Sequence, residues 1–175
     1  MHKLSFYSLL LVLALFWTGA LLSADDSAAP VRAVRVAGVI NPVVADFITA
    51  ELTAANAGNA RAFMIELDTP GGLDSAMRTI IQQVLGSRLP VIVYVSPSGA
   101  RAASAGALIT LAADFAAMAP GTNIGAAHPV AIGVGGSGGS AQDETMMETV
   151  VNDAVAYARR FADQRGRDRD WAELF

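Results

Sequence analysis

Three short segments of this chain carry groups that could together attack a carbonyl: Gly71-Gly72, Ser104-Ala105 and His128. Ser104 stands in Gly99-Ala-Arg-Ala-Ala-Ser104-Ala-Gly106-Ala-Leu-Ile-Thr110. This segment follows an apolar strand-like run at 91–95 and leads into an Ala-rich helical stretch. The neighbours are small enough for another backbone to lie against the hydroxyl. The first amides of a helix have no intrahelical partner, so the Ala105 N–H could receive an oxyanion. Two glycines after an earlier strand expose further N–H groups, and parallel sheets bind ligands at the carboxyl ends of their strands. Gly71, Gly72 and Ala105 are therefore the candidate oxyanion donors, and Ser104 the candidate nucleophile. The alternative is a small serine packed in an Ala-rich helix beside a plain glycine turn.

A serine hydroxyl needs a base within hydrogen-bond reach. The only lysine is Lys3, and His128 is the only histidine beyond residue 2. His128 follows Ser104 by 24 residues, across a brief strand and a loop, so the chain could fold back to present it. A loop histidine without a catalytic part is the competing reading. Asp68, at a strand end, is either a turn cap or a site carboxylate. No spacing of His, Cys or carboxylates suggests a metal site, and no cofactor is expected. The Gly-rich stretch 133–139 lacks the Lys-Ser/Thr ending of a phosphate loop and reads as a mobile flap beside a groove.

The elements that must position these groups alternate. Residues 31–40, 62–67, 91–95 and 115–118 read as strands. Residues 42–55, 73–85 and 143–165 read as helices, the first opened by Asn41 with Pro42 at its first position. Val43, Val44, Phe47, Ile48 and Leu52 form the expected inner face of the first helix. Met77, Ile80, Ile81, Val84 and Leu85 form that of the second. The last helix carries Met147, Val150, Val151, Ala154, Val155, Ala158, Phe161 and Ala162. Strands separated by such helices imply right-handed βαβ units and a parallel α/β sheet.

At 175 residues the chain fits one domain plus a targeting segment. A basic start (His2, Lys3) precedes an apolar run at 4–22, then Ser23-Ala24 and Asp25-Asp26. This reads as a signal peptide cut after Ala24, or as an uncut signal anchor, and the remainder as exported. The chain has no cysteine, so the core alone must stabilise the fold. Without Lys3, 11 Arg stand against 16 Asp and Glu, a net charge of −5. That balance argues against nucleic acid, and against an anionic membrane surface as a main target.

Four ordered motifs carry a resemblance. Leu67-Asp-Thr-Pro-Gly-Gly72, Pro97-Ser-Gly-Ala-Arg-Ala-Ala-Ser-Ala-Gly106, Met118-Ala-Pro-Gly-Thr-Asn-Ile-Gly125 and Val151-Asn-Asp153 resemble NfeD-type membrane-bound serine proteases of the Clp-protease class. Those proteases are operon partners of stomatin-like proteins. The resemblance covers residues 31–175. It implies a ClpP/crotonase-like fold of repeated ββα units, with Ser104 as nucleophile and Gly71, Gly72 and Ala105 as oxyanion hole. It also implies cleavage of apolar peptide segments, stomatin-like C-termini as substrate, and a homodimer or higher oligomer. Two departures accompany it. The dyad lysine of the family falls at Thr149, which cannot take a proton from serine near neutral pH. Losing an activating base costs on the order of 10³–10⁶-fold in rate. Family members also continue beyond the Trp-Ala-Glu segment, so the fold is expected to lack its C-terminal part. His128 falls where Clp peptidases carry their histidine. The rival to a peptidase is a non-catalytic relative that binds peptides or stomatin-like partners. Acyl-thioester chemistry on the same fold lacks its nucleotide-binding features here.

Overall fold

The computed structural model describes residues 29–125 and 141–172. Apolar alternation produces β1 (Val31–Ala37), which pairs in parallel with β2 (Ala62–Asp68) from Val31 opposite Ala62 to Ala37 opposite Asp68. β2 pairs in turn with β3 (Val91–Val95), and β3 with β5 (Phe115–Met118), giving a four-stranded parallel sheet of order β1-β2-β3-β5. β1 is shorter than the expected 31–40. Gly38, at φ +116°, turns the chain away, and Ile40 then bridges separately to Gly72.

Between these strands lie α1 (Pro42–Ala57), α2 (Asp74–Gly86) and α3 (Ala105–Ala112). The Asn41 side chain caps α1, its Oδ1 accepting from Val44 N–H at 3.0 Å. α4 (Ala141–Arg165) and the single turn α5 (Arg169–Ala172) follow. α1 packs on α2, α2 on α3 and α3 on α4. All eight residues of α3 are buried, as expected of a helix that is apolar on every side.

Two strands were not legible in the periodicity. β4 (Arg101–Ala103) and β6 (Asn123–Gly125) are three residues each and pair in parallel with one another. With them, β3-β4-α3 and β5-β6-α4 become successive ββα units. The inner face of α1 also differs from expectation. Ala45, Ile48, Leu52 and Ala55 are buried, whereas Val43 is 76% and Phe47 45% exposed. Alanines occupy the close helix–helix and helix–sheet contacts, which turns the larger residues outward. In α2 the expected face holds, with Ala76 added and Leu85 half-buried. The expected flap at 133–139 lies outside the described residues.

Candidate active site

β2 delivers the chain into the turn Thr69-Pro70-Gly71-Gly72 at the carboxyl edge of the sheet. Thr69 is fully buried, and its N–H donates to Arg101 O at 2.7 Å. Ala103 N–H returns a bond to Thr69 O at 3.0 Å, so β4 is stitched to the end of β2. Asp68 Oδ1 accepts from Arg101 N–H at 3.1 Å, and Asp68 O accepts from Gly38 N–H at 2.8 Å. Of its two readings, Asp68 takes that of a cap.

β4 hands directly to Ser104. Ser104 N–H donates to Gly125 O of β6 at 3.0 Å, which fixes the serine from the other side. Its backbone lies at φ 51°, ψ −116°, and among the described residues it is the only non-glycine with positive φ. Such a conformation costs about 1–3 kcal/mol and persists only where the surroundings over-determine it. Here bonded strands flank the serine on one side and a buried helix on the other. Ser104 O accepts from Ala107 N–H at 2.9 Å, so α3 starts immediately. The hydroxyl is half-buried at the mouth of the turn and, among the described residues, has no hydrogen-bond partner.

Gly71 lies against this serine. A Cβ added there would be 2.8 Å from Ser104 Cβ and 3.3 Å from Ser104 Oγ, and Gly71 has φ +112°. Its N–H donates to Thr69 Oγ1 at 3.0 Å. Its carbonyl accepts from Thr69 Oγ1 at 3.1 Å and from Ile40 N–H at 2.8 Å. Gly72 is pressed against the other flank, where an added Cβ would stand 2.0 Å from Ile40 O. Among the described residues neither Gly72 N–H nor Ala105 N–H has a hydrogen-bond partner. Thr69, absent from the expected site, is therefore the hinge of the turn. Its signal was local: threonine hydroxyls bond to backbone two residues on, and this one precedes Pro-Gly-Gly.

Thr149 lies on α4 and is exposed. One turn later, Asp153 accepts from Arg78 Nη2 of α2, whose Nε also donates to Asp74 at 2.7 Å. The same guanidinium lies 4.4 Å from the centre of the Tyr157 ring. The bond to Asp74 is the largest influence holding Arg78 above its ordinary pKa. Further along, Ala158, Phe161 and Ala162 bury the helix in the core. At its end Arg165 Nε donates to Ala112 O at 2.8 Å, and Arg165 pairs with Asp114. Arg167 donates to Leu111 O. Two guanidiniums thus close the carboxyl end of the helix whose amino end carries Ser104. His128 lies outside the described residues.

Comparison with known proteins decides the family. The family profile described as NfeD1b, N-terminal domain, matches residues 30–174. This chain belongs to that family. The membrane-bound protease PH1510 of Pyrococcus horikoshii is 40% identical over 144 residues, covering 81% of this chain and 31% of that protein. Membrane protein NfeD1b of Bacillus subtilis is 34% identical over 120 residues, covering 69% of this chain and 27% of its own length. The chain thus spans less than a third of either relative. Among solved structures, a serine-to-alanine mutant of the 1510-N membrane-bound stomatin-specific protease superposes with a TM-score of 0.74 at 38% identity. That superposition covers 83% of this chain and 68% of the other. A lysine-to-alanine mutant of the same protease, in complex with a substrate peptide, gives the same TM-score and covers 84% and 65%. A ClpP1 mutant of Listeria monocytogenes, 22% identical, aligns at a TM-score of 0.60 over 81% of this chain and 76% of its own. The α/β fold of this NfeD domain is therefore ClpP-like. Among its described residues no helix is long and apolar enough to cross a membrane.

Proposed function

We propose that this NfeD domain is an exported serine endopeptidase acting on apolar peptide segments, with Ser104 as nucleophile. The backbone of Ser104 at φ 51°, packed against Gly71, is the observation that carries the reading. Strain of this kind is worth keeping where a hydroxyl must be presented to a substrate. In the reaction, Ser104 Oγ bonds to the scissile carbonyl carbon and its proton passes to a base. The carbonyl oxygen, now an anion, is received by the Ala105 and Gly72 amides. The Gly71 amide joins them only when it gives up Thr69 Oγ1. Collapse expels the amine, which takes the proton, and water then releases the acyl group from Ser104.

The base is the weak point. By family resemblance a lysine belongs where Thr149 stands, which leaves His128 as the candidate. Thr149 is also the observation favouring a second reading, a non-catalytic relative that binds peptides in the same groove. Stomatin-like membrane proteins are the proposed partners under either reading, since the similar 1510-N protease is named stomatin-specific. Residues 4–22 are proposed to bring the chain to a membrane, and self-association as a homodimer or larger is part of the same proposal. Labelling with a fluorophosphonate probe tests the reading. Slow labelling of the natural chain that disappears in Ser104→Ala and in His128→Ala supports a histidine-assisted peptidase. Labelling that ignores Ser104→Ala overturns it.

A further inference from the structure

The edge of the sheet opposite Ser104 has its own character. Because all four main strands are parallel, their amino ends form one row, tied by bonds between the segments that precede them. Arg61 N–H donates to Pro30 O at 3.0 Å, Phe63 N–H to Pro90 O at 3.0 Å, and Asp114 N–H to Val91 O at 2.9 Å. The helices run back to this edge, so their carboxyl ends, with partly negative carbonyls, also collect here. Positive charge gathers beside them.

Arg61, Arg88 and Arg160 are exposed, and among the described residues none of them has a carboxylate partner. Arg88 donates to Asn56 O at 2.7 Å, which leaves its charge uncompensated. The nearby acids Glu51, Asp114 and Asp163 are each paired, with Arg32, Arg165 and Arg169. Asp168 and Asp170 follow the last long helix and are exposed, Asp168 Oδ1 accepting from Asp170 N–H at 2.9 Å. Phe115, at the amino end of β5, is 62% exposed on the same row and borders a groove with Arg88, Leu89, Pro90 and Gln164. An adjoining groove shares Gln164 and adds Arg160 and Arg169. At the carboxyl edge the balance is reversed. There Asp74 and Asp153 share the single guanidinium of Arg78, and Asp68 Oδ1 accepts from Arg101 N–H. The formal net charge of −4 thus conceals an uneven distribution.

The chain also enters at the arginine-bearing edge. Eight residues, 23–30, separate the apolar run from β1, and fully extended they reach at most about 28 Å. We propose that this amino edge lies on an anionic lipid surface, with Arg61, Arg88 and Arg160 meeting headgroups and Phe115 seated at the interface. The proposal rests on residues 4–22 reaching a membrane. It places Ser104 on the far edge, about 20 Å from the headgroups by the length of the strands. The site then serves peptide segments that stand clear of the bilayer rather than segments within it.

The absence of cysteine makes the test direct, since single cysteines can carry an environment-sensitive fluorophore. Gln164→Cys reports on the amino edge, and Ser75→Cys, exposed at the start of α2, on the opposite one. The full chain is reconstituted with vesicles of phosphatidylcholine alone or with phosphatidylglycerol added. The expected result is at least about twofold stronger quenching by spin-labelled lipid at Gln164→Cys than at Ser75→Cys, with phosphatidylglycerol only. The difference should vanish in about 1 M salt, where the Debye length is about 3 Å, and in a chain also carrying Arg61→Glu and Arg160→Glu. Failure of the chain to float with either vesicle would overturn the membrane reading itself. Flotation with equal quenching at both positions would leave that reading standing and overturn the docking edge. A Gln164→Cys response to an acidic peptide, with phosphatidylglycerol silent, would also overturn it and make this edge a protein-binding face.

Discussion

Gly71 and Ser104 leave no room for a methyl group between them: a Cβ at Gly71 would stand 2.8 Å from Ser104 Cβ. Two segments 33 residues apart in sequence are thereby brought to van der Waals contact at the carboxyl edge of the sheet. Gly71→Ala must therefore either displace the serine or move the turn, and φ +112° adds backbone strain. The expected outcome is loss of Ser104-dependent fluorophosphonate labelling with the protein still folded, at a stability cost of about 1–3 kcal/mol. Circular dichroism alongside labelling checks it. A labelled Gly71→Ala protein would show that the close approach does not matter to the serine.

Gly72→Ala should act on the fold more than on the serine. Its Cβ would fall 2.0 Å from Ile40 O, a backbone atom that cannot rotate away, and Ile40 O also holds Leu73 N–H at 2.9 Å. Urea unfolding should show a loss of at least about 3 kcal/mol, the upper end of overpacking costs. Gly106→Ala meets Thr69 Cγ2 at 2.4 Å instead, a side-chain atom, and should be milder than Gly72→Ala.

Arg167 reaches the Leu111 carbonyl at the end of α3, and its burial is the chief cause lowering its pKa from the ordinary value. Removing it leaves that carbonyl without its charged donor. Arg167→Ala should cost about 1–2 kcal/mol, and Arg167→Lys less, read by thermal unfolding. An Arg167→Ala protein as stable as the natural chain would mean that water replaces the guanidinium without loss.

Tyr157 supplies a pH signature. Partial burial is the largest cause raising its phenol above the ordinary value of 10, with Arg78 opposing. The unfolded chain therefore releases this proton at lower pH than the folded one. The stability it contributes is full below pH 10 and is lost as pH rises through the folded value. Comparing melting temperatures between pH 9 and 11, Tyr157→Phe should lose less than the natural chain. An identical slope would show that burial does not shift this group.

Much of this arrangement was legible in the residues, for physical reasons. The run that became β3 is apolar throughout, and that of β2 is apolar but for Glu66 and the closing Asp68, the appearance of parallel strands in a covered sheet. The Asn41-Pro42 start and the 3.6-residue stripe of α2 were equally plain. What escaped were features without an apolar signal. β4 (Arg-Ala-Ala) and β6 (Asn-Ile-Gly) are defined by pairing with each other across the chain, and no local pattern encodes that pairing. Alanine misled in α1, where Ala45 and Ala55 are buried and the larger Val43 and Phe47 are not. At the site, the glycines and Ser104 stood out by type, but the role of Thr69 depends on a hydroxyl folding back two residues to Gly71. Its second partner, β4, was itself unseen.

The α4 clamp bears on position 149, where the proposed reading lacks its base. Arg78 holds α4 through Asp153 and Tyr157, one and two turns after Thr149. A base introduced at 149 should therefore depend on that clamp, and adding Arg78→Ala to Thr149→Lys should remove most of the activity gained. Retention of the gain would show that the core contacts of Ala158 and Phe161 suffice to place the helix.

The central claim is that Ser104 is seated for nucleophilic attack and lacks only an efficient base. The rate of fluorophosphonate labelling in Thr149→Lys, set against the natural chain and against Thr149→Lys with Ser104→Ala, tests it most directly. Acceleration by about 10²–10⁴-fold is expected, the usual contribution of a positioned general base, with complete loss when Ser104 is removed. A folded Thr149→Lys protein labelled no faster than the natural chain, or labelled equally without Ser104, would contradict it.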